Sequence, residues 1–434
     1  MPVIRPEFPD HSSPFSREQE RRRKEMAILS AAAKRFDSDG FHSTRLEDIA
    51  ADLGLTKTSI GYYHSSKEDL AAAVYTHSAG FLDEAVSFAA DRDTDSGGKI
   101  LALFHRFAAQ LLEVNTGERP HLASINDLNA LSEGSSAEIA AQLSRSVARV
   151  DNLVSAWAQE RELPLGRTEP VTFFIFGLLD WMTGWLNRKR HFDIDAASAA
   201  LFDLVEIGLL RNQWTPLAIR PGTPDMGVPQ IFDREARNRM KREAFLKAGT
   251  RYFNALGFGG VALSEVAASL GVTRGAFYYH FPDKEQLLDQ CLERSLAGVE
   301  AALDRAEEQA ETGLAVIEHA LRDLIYQQAS GVDPLTRPSL ISALPAPRQR
   351  RHSARMRNIA RRFGDALEHS IGTGEARDVD VTIVEQILTN ALFLNGGYTI
   401  AAANSFTDWR ISEDPLTATI DYARLLMTGL GEKA

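Results

Sequence analysis

The 434-residue chain has a single cysteine, Cys291, so no intrachain disulfide, zinc ribbon or CxxC redox pair can be drawn from it. Catalytic signatures are missing as well: there is no HExxH, GxSxG, Walker loop or GxGxxG. His191, Asp193 and Asp195 are near enough in sequence for a metal triplet, as are Asp378 and Asp380, but both groups read as solvated interhelical loops. The expectation is a non-enzyme with no cofactor and no metal. Long hydrophobic runs are absent too. The most apolar stretch, Val171 to Leu186, is short for a membrane span and carries Asp180, and prolines and charges fill the N-terminal positions where a secretion signal needs an apolar core. These features predict a cytoplasmic protein without a membrane partner. With 44% apolar and 25% charged residues, a wholly disordered chain is excluded, and the length suits two or three domains.

What the chain does have is a repeat. A shift of 217 residues aligns positions 24–70 with 241–287 without a gap, with 17 identities in 47 positions, Phe36/Phe253, Gly40/Gly257, Thr56/Thr273, Tyr62/Tyr279 and Lys67/Lys284 among them. Such self-similarity marks two copies of one module. Within each copy, apolar residues at helical spacing run to Gly40 or Gly257, where a residue tolerant of positive φ ends a helix. Thr44-Arg-Leu-Glu reads as a capping box opening a second helix, Thr56 as the N-cap of a third, and Ser66 or Asp283 as the N-cap of a fourth. Helix, glycine-containing turn, helix is the helix-turn-helix pattern.

In that motif the third helix enters the major groove, its first residues meet base edges, and neighbouring elements hold phosphates. Thr273 and Arg274 fall on its first turn in the second copy, Gly275 and Ala276 are small enough for close approach, and Tyr278, Tyr279 and His280 follow as donors to phosphate. Lys284 adds charge at the next helix start. The first copy offers Thr44, Thr56, Lys57, Thr58, Tyr62, Tyr63 and Lys67. Basic residues precede both first helices: Arg21, Arg22, Arg23 and Lys24, then Arg237, Arg239, Lys241 and Arg242. Residues 16–70 hold 10 basic and 10 acidic side chains and residues 233–287 hold 9 and 6; against a chain total of −11 this leaves the rest at −14. Both modules are less acidic than their surroundings, and the second is better suited to phosphates.

The stretch Gly-Val-Thr-Arg-Gly-Ala-Phe-Tyr-Tyr-His-Phe-Pro-Asp-Lys-Glu-Gln-Leu, residues 271–287, resembles the DNA-binding signature of TetR/AcrR-family transcriptional regulators, and residues 54–70 resemble it more weakly. The first copy departs at Gly61, where the second has Tyr278, and at His64, where Phe281 would pack beneath the motif. Two readings of the first copy stay open, altered DNA binding and a structural relic.

The resemblance implies an all-α chain of two tandem TetR-like units. Its layout would be an arm over 1–15, helix-turn-helix domains over 16–66 and 233–283, helical effector and dimerisation domains over 67–212 and 284–434, and a proline-containing linker over 213–232. It implies a regulator, a repressor by the family's habit, that binds a double-stranded DNA operator and answers to a small-molecule effector. The apolar helical stretches 173–190 and 196–210, and 387–402 and 417–430, occupy the places where the family pairs helices. The two halves could therefore form an intramolecular pseudo-dimer, with a homodimer of whole chains as the alternative. Phe104, Trp157, Phe173, Trp181, Tyr326, Phe393 and Tyr398 are candidate pocket aromatics, each also a natural core residue. A basic run from Arg348 to Arg362 reads as a solvated helix face or an anion site. The competing function is a ligand sensor or interaction module whose first motif no longer reads DNA.

Overall fold

The computed structural model describes residues 14–41, 43–123, 125, 128, 131–162, 168–186, 193–211, 234–391 and 414–430. Among them the protein is all-α apart from one isolated bridge, Leu210 to Ala376. The first half runs α1 (Pro14–Asp39), α2 (Leu46–Asp52), α3 (Lys57–Gly61), α4 (Lys67–Ala90), α5 (Ser96–Thr116), α6 (Glu133–Glu160), α7 (Glu169–Leu186) and α8 (Ile194–Glu206). The second runs α9 (Arg234–Gly260), α10 (Leu263–Ser269), α11 (Arg274–His280), α12 (Lys284–Gln309), α13 (Gly313–Ala329), a 3-10 turn (Pro338–Ala343), α14 (Ala346–Gly372), α15 (Val381–Ala391) and α16 (Pro415–Thr428).

Local signals place most boundaries. Gly40 and Gly257 take φ of 77° and 66°, which L side chains avoid, and the helical course of α1 and α9 breaks there. Thr56 Oγ1 accepts from Ser59 N at 3.2 Å, Ser66 Oγ from Asp69 N at 3.0 Å, and Asp283 Oδ1 from Gln286 N at 2.6 Å, each satisfying a helix N-terminal donor. The expected capping box at Thr44 is not formed. Thr44 is buried, and its hydroxyl donates backward to Gly40 O at 2.8 Å; Arg45 caps α2 without its side chain, and Glu47 pairs with Lys57 instead. Burial of the turn after α1 outweighs the local cap.

Each head, α1–α3 or α9–α11, rests on the long helix that follows it. Phe245, Phe253, Phe277, Phe281, Leu287 and Cys291 form the core of the second head, and Ile28, Phe36, Ile49, Ile60 and Leu70 belong to that of the first. Below the heads, α4–α8 and α12–α16 share one continuous apolar core, because α7 packs on α15 and α16, and α8 on α16. Phe174 meets Tyr422 edge-on at 5.4 Å, with both side chains buried. Backbone hydrogen bonds cross the same seam: Leu209 and Leu210 N–H donate to Met427 O at 3.0 and 2.8 Å, Leu430 N–H to Val205 O at 2.8 Å, and Arg377 N–H to Leu209 O at 2.9 Å. Helix α8 stops at Glu206, short of the expected 210, and this crossing strand-like segment takes its place. Residues 392–402 of the expected helix 387–402 lie outside the described residues, as does the linker 213–232. No helix among the described residues is long and apolar enough to cross a membrane.

Candidate nucleic-acid interface

The two third helices are built alike. Ile60 in α3 and Phe277 in α11 are fully buried and anchor the inner side, while Thr56 and Thr273 cap the N-termini. Lys57 and Thr58 in one head, and Arg274 and Gly275 in the other, lie exposed on the outer side of the first turn. At the far end Tyr62 and Tyr279, equivalent in the repeat, are 74% and 84% exposed. Each stands edge-on to its neighbour, Tyr62 to Tyr63 at 5.2 Å and Tyr279 to His280 at 5.3 Å. An exposed aromatic ring thus stands at the same place in both heads.

The heads differ where the sequences differ. Arg274 lies over the Tyr278 ring at 5.1 Å, with its guanidinium 3.4 Å from the tyrosine hydroxyl, so the fork is presented from the helix surface. Gly61 leaves no such platform; α3 ends there after five residues, against seven in α11. Lys57 instead pairs with Glu47 at 2.8 Å, and this ion pair holds the Glu47 carboxyl below its usual range. Both partners are exposed, so solvent screens the pair and it contributes little to stability. His64 fills the place of Phe281: it is buried, its Nε2 has no partner, and burial lowers its pKa.

Lys67 and Lys284 sit deeper than their sequence position suggests. Lys67 Nζ donates to Phe41 O at 2.8 Å and Thr44 O at 3.1 Å above the Phe41 ring, and Lys284 Nζ donates to Gly259 O at 3.3 Å above the Phe258 ring. Each ammonium closes the turn after the first helix of its head. Burial lowers both pKa values. Thr44 belongs to this same internal turn rather than to the surface.

The arginine run on α14 is used within the fold. Arg351 reaches Asp289, Arg355 reaches Glu293 and Glu300 at 2.6 Å each, and Arg362 reaches Asp304 and Glu307 at 2.8 Å each, a ladder tying α14 to α12. Among the proposed pocket aromatics, Phe104, Trp157 and Trp181 are buried in the first effector core, Trp157 stacked on Phe202 at 5.4 Å. Phe173 and Tyr326 are half-buried, and Phe393 and Tyr398 lie outside the described residues. Asp193 caps α8 by accepting from Ala196 N, Asp195 pairs with His105 at 3.0 Å, and Asp380 accepts from Ile383 N. Cys291 is buried, which pushes its thiol up to about 12.

A polar joint under the second head has no signature in the sequence. Thr250 on α9, Ser295 on α12 and Thr336 in the loop after α13 form a buried hydroxyl cluster, with 3.0 Å between Thr250 and Thr336 and 3.0 Å from Ser295 Oγ to Thr336. Around it Lys247 and Arg251 donate to Val332 O and Gly331 O, Asn254 donates to Leu335 O, and Arg294 pairs with Glu243 and Asp333. Three chain segments meet there, so only their tertiary juxtaposition reveals it.

Comparison with known proteins agrees with this geometry. The family model for bacterial regulatory proteins of the tetR family matches twice, at residues 28–74 and 245–291. The transcriptional regulator RutR of Escherichia coli K12 is 55% identical over 51 residues, 12% of this chain and 24% of RutR. AcrR of Shigella flexneri is 38% identical over 58 residues, 13% of this chain and 27% of AcrR. The chain thus covers about a quarter of the length of these curated relatives. Among solved structures, a TetR-family regulator from Bordetella parapertussis 12822 superposes with a TM-score of 0.36 at 21% identity, covering 42% of this chain and 93% of that one. AibR in complex with isovaleryl coenzyme A and operator DNA superposes with a TM-score of 0.35 at 18% identity, covering 42% of this chain and 97% of that one. These superpositions are loose, and the assignment rests on the two sequence matches and the helix-turn-helix geometry. The DNA-binding domain of the tetR family of bacterial regulatory proteins is thus present twice in this chain, once in each half.

Proposed function

We propose that the protein is a sequence-specific DNA-binding transcriptional regulator, a repressor, whose two unlike heads act as one pseudo-dimer on a double-stranded operator. The observation that carries this reading is the pair of equivalent tyrosines, Tyr62 and Tyr279, projecting 74% and 84% exposed beside capped third helices. In the second head Arg274 reads a guanine with Thr273 and Gly275 at the groove, and Tyr278, Tyr279 and His280 hold phosphates. In the first, Thr56, Lys57 and Thr58 face bases or phosphates, with Tyr62 and Tyr63 on the backbone. Lys67, Lys284 and Thr44 serve DNA through the turns they hold. Because Lys57 and Gly61 replace Arg274 and Tyr278, the half-sites differ and the operator is not a palindrome.

A small-molecule effector acts through the helical bodies. Gln110 on α5, a helix that also buries Phe104, Phe107 and Leu111, is fully buried with neither amide atom partnered, and a ligand would satisfy it. The joint at Thr250, Ser295 and Thr336 passes a shift of the second body to its head. A ligand exerts control by its differential affinity for two head arrangements.

Selection of genomic fragments by the purified chain at stated salt, followed by footprinting, tests the proposal. Two unlike half-sites protected by one chain support it. A palindrome bound by two chains refutes the pseudo-dimer, and no selected fragment refutes DNA binding.

A further inference from the structure

The two heads touch backbone to backbone. A methyl group built on Gly40 would stand 2.5 Å from Gly259 Cα, and one built on Gly259 would stand 2.5 Å from Asp39 O and 2.6 Å from Gly40 Cα. Ordinary contact between heavy atoms needs about 3.5–4.0 Å, so only hydrogens fit at this point. Gly40 is required by its own turn, with φ of 77°. Gly259 is not required by the repeat, since the first copy has His42 at the matching position. Its lack of a side chain is explained by the neighbouring head.

Both sides of the contact are braced. Lys67 holds the turn after Gly40 through Phe41 O, and Lys284 holds Gly259 through its carbonyl. Helix α1 also rests on the 3-10 turn Pro338–Ala343 of the second half, which packs on α9. At the opposite end of the molecule, Gly208 and Gly429 approach as closely: a methyl on Gly208 would lie 2.5 Å from Gly429 N. The halves are pinned both at their heads and at their bases.

We propose that Gly40 and Gly259 are specificity-determining residues that set the distance between the half-sites this protein accepts. The inference rests on the DNA-binding reading above. Each base pair added between half-sites moves one head by about 3.4 Å along the duplex and turns it by about 35°, taking 10–10.5 base pairs per turn of about 34–36 Å. Heads in hydrogen-sized contact cannot follow such a step without separating. A side chain at residue 259 wedges them apart by about 1 Å or more at the contact, the difference between 2.5 Å and ordinary packing.

The test uses the full chain and the fragment selected by the wild type, with the spacer between half-sites varied one base pair at a time. Wild type is expected to favour one spacer, losing about tenfold or more in affinity on either side. Gly259→Val is expected to move the optimum or to bind two adjacent spacers within about threefold. Gly259→Ala serves if the valine variant fails to fold. In parallel, spin labels at Ala51→Cys and Ala268→Cys, exposed and equivalent in the two heads, report the head separation without DNA; buried Cys291 stays unlabelled. A longer or broader distance in the folded variants supports the wedge. A spacer profile identical in wild type and folded variant overturns the inference alone. Failure of the wild type to select any duplex overturns the DNA-binding reading and this inference with it.

Discussion

Replacing Gln110 with leucine should stabilise the protein. Gln110 has no exposed surface, and neither Oε1 nor Nε2 has a hydrogen-bond partner, while Leu103, Phe107, Leu111 and Val114 on the same helix are buried too. An unsatisfied buried donor or acceptor costs about 1–3 kcal/mol, so the two atoms together cost roughly 2–6 kcal/mol. Leucine removes both at similar volume, with about 1.5 kcal/mol of repacking set against it. A net gain of about 2 kcal/mol is expected. At about 2 kcal/mol per molar urea, the unfolding midpoint should move up by about 1 M, read by tryptophan fluorescence from buried Trp157 and Trp181. The same variant should lose response to any effector that bonds the amide. An unchanged or lower midpoint in Gln110→Leu would refute the reasoning, since it would mean that the amide is satisfied in solution.

Three further outcomes follow from particular contacts. His64 is buried with its pKa lowered from 6.5 by desolvation, so the unfolded chain takes up the proton first as pH falls and stability present above about pH 6.5 is lost on acidification. His77 and His121 are lowered by burial in the same way, His121 to about 4, so His64→Phe should reduce rather than abolish the drop in urea midpoint between pH 7 and 5; equal slopes in the two proteins would count against it. Arg274→Ala should weaken binding to the selected operator by about 1–3 kcal/mol and relax base choice in one half-site only, measured by titration against single-base variants; uniform weakening at all positions would reassign Arg274 to phosphate. Phe174→Ala, which empties the contact with Tyr422 at the seam, should cost about 3–5 kcal/mol and speed proteolysis between the halves, and a wild-type cleavage rate would show that the seam does not depend on this pair.

Much of the head was legible along the chain because its signals are short-range. Thr56, Ser66, Thr273 and Asp283 each cap a helix through a donor three residues on, and the 217-residue shift carried the reading from one copy to the other. Thr44 shows where that logic stops. Its spacing to Glu47 suits a capping box, yet burial of the preceding turn draws the hydroxyl to Gly40 O and leaves Glu47 to Lys57. Lys67 and Lys284 show the same limit, since a basic residue at a helix start looks like a phosphate ligand until the carbonyls beneath it are seen. The α14 arginines could not be told from a solvated face because their carboxylates lie 55 to 62 residues away on α12.

By itself, then, the sequence determined that there are two helix-turn-helix heads and where their third helices begin. Those features depend on hydrogen bonds and helical periodicity within a few residues. Tertiary structure alone decided that the backbone of Leu209, Leu210 and Leu430 hydrogen-bonds across the seam between the halves, that Gln110 is buried without partners, and that Gly40 meets Gly259. These depend on shape complementarity between segments far apart in the chain, where a missing side chain matters only once the opposite backbone has arrived.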